Sequence, residues 1–393
     1  MIPSFAFSRI PMIHFGAGTF GMLDSVISSM GSKPLIVSGS HSFESSGKKD
    51  ILEHALRKKS FAPIFFSVKG EPSPDLVDNA VSLFRNSGID VVCAVGGGSV
   101  IDAGKAISAM LLHDDSVFDY LEGVGKGEKH DGVKIPFIAV PTTAGTGSEA
   151  TKNAVLSRVG PEGFKKSLRH DNLVPDAALI DPELTLSCPP DITAATGMDA
   201  FSQLLEACVS TRSNPMTDAL AYSGLSSAID MLIPVCTSGS GVVEVRAGMA
   251  YAALISGIAI ANAGLGTVHG LASALGGLFD IPHGVVCGTL VGAWAKITIE
   301  KLKRETDDRE LALQKFARAG ALIAGGDERD LDRSCELLVQ KLMEWIDILH
   351  IPTLSSFGIK ESDIDSILNK TDNKNNPVTL DRSEIRRIIE VRL

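Results

Sequence analysis

Asp199 and Gln203 stand four residues apart in PPDITAATGMDAFSQLLEACVS, a stretch that reads as a helix. That spacing puts both side chains on one helical face, a turn apart. His269 and His283 frame VHGLASALGGLFDIPHG, where Gly- and Ala-rich apolar surroundings leave an imidazole in need of a partner. One carboxylate and two imidazoles are a common ligand set for a divalent ion acting as a Lewis acid. Taken singly, each of these residues also reads as a hydrogen-bonded core side chain. Spacing alone does not bring them together.

A second chemistry is suggested nearer the N-terminus. Gly96, Gly97, Gly98 and Ser99 follow an apolar strand pattern and open a helical one. Glycines let a backbone approach closely, and free N–H groups at a helix start favour an anion such as a pyrophosphate. The sequence is not GxGxxG, and a plain strand-to-helix turn is the competing reading. Further on, Pro141-Thr142-Thr143-Ala144-Gly145-Thr146-Gly147-Ser148-Glu149 gathers hydroxyls at the next strand end. These suit a nucleotide ribose, phosphate or base edge, or equally a Ser/Thr-rich capping turn.

The elements that must position these loops alternate through the first ~180 residues. KPLIVSGS, APIFFSV, IDVVCAVGGGS and IPFIAVPTTAGTGSE read as strands; DILEHALRKKS, DLVDNAVSLFRNSG and VIDAGKAISAMLL read as helices. Val/Ile-rich strands between amphipathic helices predict a parallel sheet covered on both faces, with ligands beyond the strands' carboxyl ends. From about Asp191 onward the pattern is helical. The expected architecture is an α/β domain over residues 1–183 and an all-α domain over residues 184–393. KTDNKNNPVTLDRS reads as a loop before a last helix, SEIRRIIEVRL.

Composition narrows the class. The 393 residues are 44% hydrophobic and 21% charged, which is globular. With 37 basic against 47 acidic residues the net charge is −10, and no Lys/Arg block offers the basic face that nucleic acid requires. Six scattered cysteines with no CxxC indicate reduced thiols rather than a disulfide frame or a Cys-rich zinc site. The start, MIPSFAFSRIPMIHFGAG, has no basic leader before an apolar stretch. The most apolar segment, AGMAYAALISGIAIANAGLG, is broken by Gly and reads as a buried core helix. A cytoplasmic protein with no membrane partner is expected.

The ordered set GGGSVIDAGKA, PTTAGTGSEAT, DPELTLSCPPDITAATGMDA, NPMTDALA, HGLASALGGLFDIPHG and NKNNPVTL resembles the iron-containing (group III) alcohol dehydrogenase family across nearly the whole chain. The resemblance implies a Rossmann-like NAD(P)-binding domain, an all-helical second domain and a divalent metal in the cleft between them, the dehydroquinate synthase-like fold. It places Gly96, Gly97, Gly98, Ser99 and Asp102 at the pyrophosphate, and Thr142, Thr143, Thr146 and Asn153 along the rest of the dinucleotide. It places Asp199, His269 and His283 on metal-ligand positions. The metal expected is Fe2+, with Zn2+ as the alternative, in a homodimer.

Two positions depart from the family pattern. Gln203 stands where a fourth ligand is usually His, and Ser273 where another His usually lies near the substrate. Gln can ligate through its amide oxygen but is neutral and harder than imidazole. Ser273 cannot buffer a proton near neutral pH as His does. Gly39 occupies a position where NAD-preferring members often carry Asp against the ribose 2′-OH; with Ser40 and Ser42 beside it, NADP is favoured over NAD. The activity implied is metal-dependent interconversion of a primary alcohol and an aldehyde bearing a polar group. The alternatives are a metal-independent reductase resembling maleylacetate reductases, a cyclase resembling dehydroquinate synthase, and an inactive nucleotide-binding relative.

Overall fold

A computed structural model describes residues 4–40, 42–305 and 310–393. Two compact units share the chain. One is Ser8–Arg158 with Lys165–Cys188; the other is Pro189–Leu393 with Val159–Phe164 and the N-terminal segment up to Phe7.

The first unit is α/β. Its strands are β1 (Met12–Phe15), β2 (Pro34–Gly39), β3 (Ile64–Val68), β4 (Val91–Gly96), β5 (Phe137–Pro141), β6 (Asn153–Arg158), β7 (Phe164–Arg169) and β8 (Ala177–Ile180). Six of them form a sheet in the order β1-β8-β5-β4-β2-β3, parallel at every pairing, while β6 and β7 pair separately. The central strands β4 and β5 are buried at every residue, as a sheet covered on both faces requires. Each Val or Ile so buried contributes about 1.5–3 kcal/mol relative to exposure. The edge strand β3 is largely half-buried, and β1 is exposed at both ends. The helices here are α1 (Leu23–Met30), α2 (Ser42–Ser45), α3 (Lys48–Lys58), α4 (Pro74–Phe84) and α5 (Gly98–Met110).

Strand order locates the ligand-binding end. From β2 the chain moves outward to β3 and then returns to β4 on the other side of β2, before continuing to β5. The winding therefore reverses between β2 and β4, and the crevice beyond their carboxyl ends is where open α/β sheets bind ligands. Gly39 ends β2 and Gly96 ends β4.

The second unit is helical: α6 (Pro190–Val209), α7 (Pro215–Cys236), α8 (Val243–Ala263), α9 (Thr267–Leu278), α10 (His283–Arg304), α11 (Glu310–Ala324), α12 (Leu331–Ile348), α13 (Ile364–Lys370) and α14 (Arg382–Glu390). The two fold classes expected from the sequence are those observed. Among the described residues two helices, α7 and α8, are long and apolar enough to cross a membrane by length and composition. Most of the apolar stretch of α8 is buried, and α8 packs on both α6 and α7, the core-helix arrangement its Ala/Gly content suggests.

Several motif residues fasten chain to chain. Asp181 is buried and accepts the N–H groups of Gly18, Phe20 and Glu183 at 3.1, 3.0 and 3.0 Å. Asn214 starts α7 with a capping box, accepting the N–H groups of Met216 and Thr217. Asn376 accepts the Trp294 indole N–H at 2.8 Å and donates to the Val378 carbonyl at 2.7 Å. Asn375 N–H donates to the Leu265 carbonyl at 2.9 Å, tying this late loop to the segment that enters α9. All three motifs thus have structural duties of their own.

Candidate active site and metal centre

The two nucleotide-type loops leave adjacent strands at the same level. Gly96 is in register with Pro141, and the Thr142 N–H donates to the Gly96 carbonyl at 3.0 Å. Gly97 precedes α5 with no capping side chain, and Val100 N–H donates to the Gly97 carbonyl, so the first-turn N–H groups without a capping side chain are those of Gly98 and Ser99. That uncapped helix start, in a glycine loop at the winding reversal, fits a dinucleotide pyrophosphate. The three glycines do different work. A Cβ on Gly96 would lie 2.6 Å from Val100 Cβ, and one on Gly98 2.6 Å from Thr146 Cγ2, so both are small because α5 and the second loop pack there. A Cβ on Gly97 would come 3.3 Å from Thr143 Oγ1, a looser contact.

Ser99 sits half-buried in the first turn of α5, and Thr142 and Thr143 are half-buried at the head of the second loop. Thr146 Oγ1 accepts the Ser148 N–H at 3.3 Å. Asp102 is buried a turn further along α5, where its Oδ2 accepts the Val155 N–H of β6 at 3.1 Å. Asn153 Nδ2 donates to Ser167 Oγ at 3.2 Å across the β6–β7 pair. Gly39 and Ser40 are half-buried at the end of β2 and Ser42 opens α2. A Cβ on Gly39 would meet Ser42 Oγ and Val100 Cγ2 at 3.8 Å, ordinary contact, so a side chain fits there.

The residue that shapes the second loop was not singled out in the sequence. Lys105, fully buried on α5, donates from Nζ to the carbonyls of Ser148, Thr151 and Asn153 at 2.8, 2.9 and 2.8 Å, and to Thr151 Oγ1 at 3.0 Å. Burial pushes its ammonium down to about 8, against the opposing pull of Asp102 and Glu149. Glu149 is pushed up to about 7 by burial. Lys105 follows Asp102 by three residues in GGGSVIDAGKA, a pairing visible in the motif itself.

In the helical unit, α6, α9 and α10 bring Asp199, His269 and His283 together. Asp199 Oδ1 lies 3.2 Å from His269 Nε2 and 3.8 Å from His283 Nε2. The two rings are 5.4 Å apart, centroid to centroid. Cys287, one turn after His283 on α10, adds its sulfur 3.6 Å from His269 Nε2 and 3.7 Å from His283 Nε2. One ligand atom from each of the four residues lies within 4.8 Å of every other. A carboxylate, two imidazoles and a thiol converging this tightly fit a divalent metal ion. The approach depends on Gly284, where a Cβ would sit 2.5 Å from the Ala195 carbonyl oxygen. With no side chain there, the start of α10 lies directly against the α6 backbone.

Glu206 lies beneath this group, seven residues after Asp199 on the same helix. Its Oε2 is 2.6 Å from His269 Nδ1, and its Oε1 accepts the Val268 N–H at 2.7 Å. The Nδ1–H donates to the carboxylate, so Nε2 is turned toward Asp199, His283 and Cys287, and the neutral ring presents its lone pair there. Burial pushes the Asp199 carboxyl up, but His283 and His269 outweigh it and hold it below its ordinary value. Burial pushes the His269 imidazole down, yet Cys287, Glu206 and Asp199 together raise it well above its ordinary value. Burial pushes the Cys287 thiol up to about 12.

Gln203 shares the buried face of α6 with Asp199, and its Oε1 accepts the Ser256 hydroxyl at 2.7 Å. Ser273 Oγ donates to the His269 carbonyl at 2.8 Å and accepts from Lys374 Nζ at 3.4 Å. Cys287 and Glu206 were missed in the sequence, although both follow a predicted ligand at helical spacing, four and seven residues on. A second group, His113, His130 and Asp131, lies in the α/β unit. There His130 Nδ1 accepts the Gly132 N–H at 2.9 Å and His113 Nδ1 lies 2.9 Å from the Ala109 carbonyl, so backbone partners already occupy those nitrogens.

Comparison with known proteins settles the family. Residues 11–182 match the model of iron-containing alcohol dehydrogenases, and residues 193–393 match that of the C-terminal part of the same family. The chain belongs to the iron-containing alcohol dehydrogenase family. It is 34% identical over 362 residues to long-chain-alcohol dehydrogenase 1 of Geobacillus thermodenitrificans, covering 91% of this chain and 87% of that one. It is 31% identical over 276 residues to the NAD-dependent methanol dehydrogenase of Bacillus methanolicus, covering 70% and 71%. The crystal structure of sulfoacetaldehyde reductase from Bifidobacterium kashiwanohense in complex with NAD+ superposes with a TM-score of 0.84 at 27% identity, covering 99% of each chain. Membership makes this protein an oxidoreductase of alcohols and aldehydes.

Proposed function

We propose that this iron-containing alcohol dehydrogenase is metal-dependent and NAD(P)-linked, and interconverts a primary alcohol with an aldehyde that carries a polar group. The convergence of Asp199 Oδ1 with the Nε2 atoms of His269 and His283 carries the reading. A divalent ion, Fe2+ by the family's name, supplies Lewis-acid polarisation of the substrate oxygen, and the nicotinamide supplies or takes the hydride. Asp199 provides the negative charge that holds the ion in a buried site. Glu206 fixes the tautomer and ring plane of His269. The burial of Asp199 and His269 keeps water from competing for these groups. Ser273 can pass a proton along but cannot store one near neutral pH, so the proton of each turnover exchanges with solvent.

On this reading residues 1–183 bind the dinucleotide and residues 184–393 hold metal and substrate, in a cytoplasmic homodimer. NADP(H) is the favoured cofactor, because Gly39 puts no carboxylate against a 2′-phosphate while Ser40 and Ser42 offer hydroxyl donors. Ser273, smaller than the family's usual His, together with the ammonium of Lys374 beside it, supports a polar or anionic group on the substrate. The test is an aldehyde panel read by loss of reduced-nicotinamide absorbance, with NADH and NADPH, with and without added divalent metal. Turnover that needs metal and favours NADPH supports the proposal. A metal-indifferent reductase, or no turnover with any aldehyde, refutes it.

A further inference from the structure

We propose that Cys287 is a ligand of the same divalent ion as Asp199, His269 and His283, so that the fourth protein ligand is a sulfur on α10 rather than residue 203 on α6. The inference rests on the metal reading above and deepens it. An ion bound tetrahedrally through sulfur at about 2.3 Å and nitrogen at about 2.0–2.1 Å separates those two ligand atoms by about 3.6 Å. Cys287 Sγ lies 3.6 Å from His269 Nε2 and 3.7 Å from His283 Nε2. The same geometry separates a carboxylate oxygen and an imidazole nitrogen by about 3.4 Å, between the 3.2 and 3.8 Å observed from Asp199 Oδ1.

A thiol has one proton to donate and only weak acceptor capacity, so hydrogen bonding satisfies the sulfur's contacts with two imidazole nitrogens less well than an ion shared by all three would. Cys287 is fully buried and sits in the first turns of α10, where Gly288 packs on Met198 and Gly284 on Ala195, so it is held against α6 by the same contacts that hold His283. At Gln203, by contrast, the one atom able to ligate is a neutral amide oxygen that accepts the Ser256 hydroxyl, which leaves it a single lone pair. A carboxylate, two imidazoles and a thiolate form a softer set than carboxylate and imidazole alone, and draw the site toward Zn2+ and other thiophilic ions over Fe2+. The thiol releases its proton to solvent as the metal binds.

Cobalt(II) reports sulfur ligation directly, through a near-ultraviolet sulfur-to-metal charge-transfer band separate from its visible ligand-field bands. The full-length protein, stripped of metal and titrated with Co2+, is expected to develop both. Cys287→Ser is expected to keep the visible bands, lose the near-ultraviolet band and bind Co2+ at least about tenfold more weakly; Cys287→Ala gives the same readout if the serine variant does not fold. Visible bands without a sulfur band in the wild type would overturn the role of Cys287 and leave the metal reading standing. A sulfur band that survives in the Cys287 variants would also overturn it. Absence of any bound Co2+ would overturn both.

Discussion

Glu206 Oε2 lies 2.6 Å from His269 Nδ1, while the opposite ring nitrogen lies 3.2 Å from Asp199 Oδ1. One imidazole is thus held between two carboxylates on the same helix, one fixing the proton and the other sharing the ligand position. Replacing Glu206 should act on the metal without touching it. Glu206→Gln is expected to weaken divalent-metal affinity by about 10–100-fold, measured by competition with a chelator of known strength. Unchanged affinity would leave Glu206 a packing residue only.

Gly97 is the loop glycine whose Cβ has most room, yet it precedes the uncapped start of α5. Gly97→Val should therefore fold but put branched carbons into the proposed pyrophosphate site. Cofactor affinity is expected to fall at least tenfold, about 1.4 kcal/mol, in fluorescence titration. Full affinity in the folded variant would remove this loop from the cofactor site. Gly96 and Gly98 are poorer tests, because substitution there displaces Val100 or Thr146 first.

At Gly39 a side chain fits without clash. Gly39→Asp is expected to shift kcat/KM toward NADH and away from NADPH, by charge repulsion of the 2′-phosphate. A wild type that already prefers NADH, or a variant with no shift, would show that the end of β2 does not read the ribose.

Much of this architecture is legible because burial leaves a simple pattern. The strands β2, β4 and β5 are continuous apolar runs, since both their faces are covered. By contrast β1 and β8 are four residues each, too short for a pattern, and β7 reads FKKSLR, which resembles a polar loop more than a strand. The site residues Asp199, His269 and His283 could be picked out by type, but their convergence depends on the α10–α6 approach at Gly284, a long-range contact that local sequence does not encode. Cys287 carries no signal as one of six scattered cysteines with no CxxC. Its spacing from His283 is the same four residues that linked Asp199 to Gln203.

Buried Glu149 gives the α/β unit a pH signature. Glu149 titrates near 7 when folded, above its ordinary 4.5, because burial disfavours the carboxylate. A raised folded value means its contribution is complete below 4.5 and is lost as pH rises through about 7. Glu149→Gln should therefore match the wild type at pH 4.5 and exceed it well above pH 7, by about 3 kcal/mol at most. Melting curves of the two proteins across that range check it; parallel pH profiles would contradict it.

The central claim is that Asp199, His269 and His283 hold a metal on which hydride transfer depends. The most direct measurement is elemental analysis of the purified wild type and of His269→Ala and His283→Ala, paired with aldehyde reduction before chelation, after it, and after metal is restored. The account predicts stoichiometric divalent metal in the wild type, turnover lost on chelation and recovered on reloading, and both metal and turnover nearly abolished in each histidine variant. A wild type that carries no divalent metal and reduces aldehydes unaffected by chelators would contradict it.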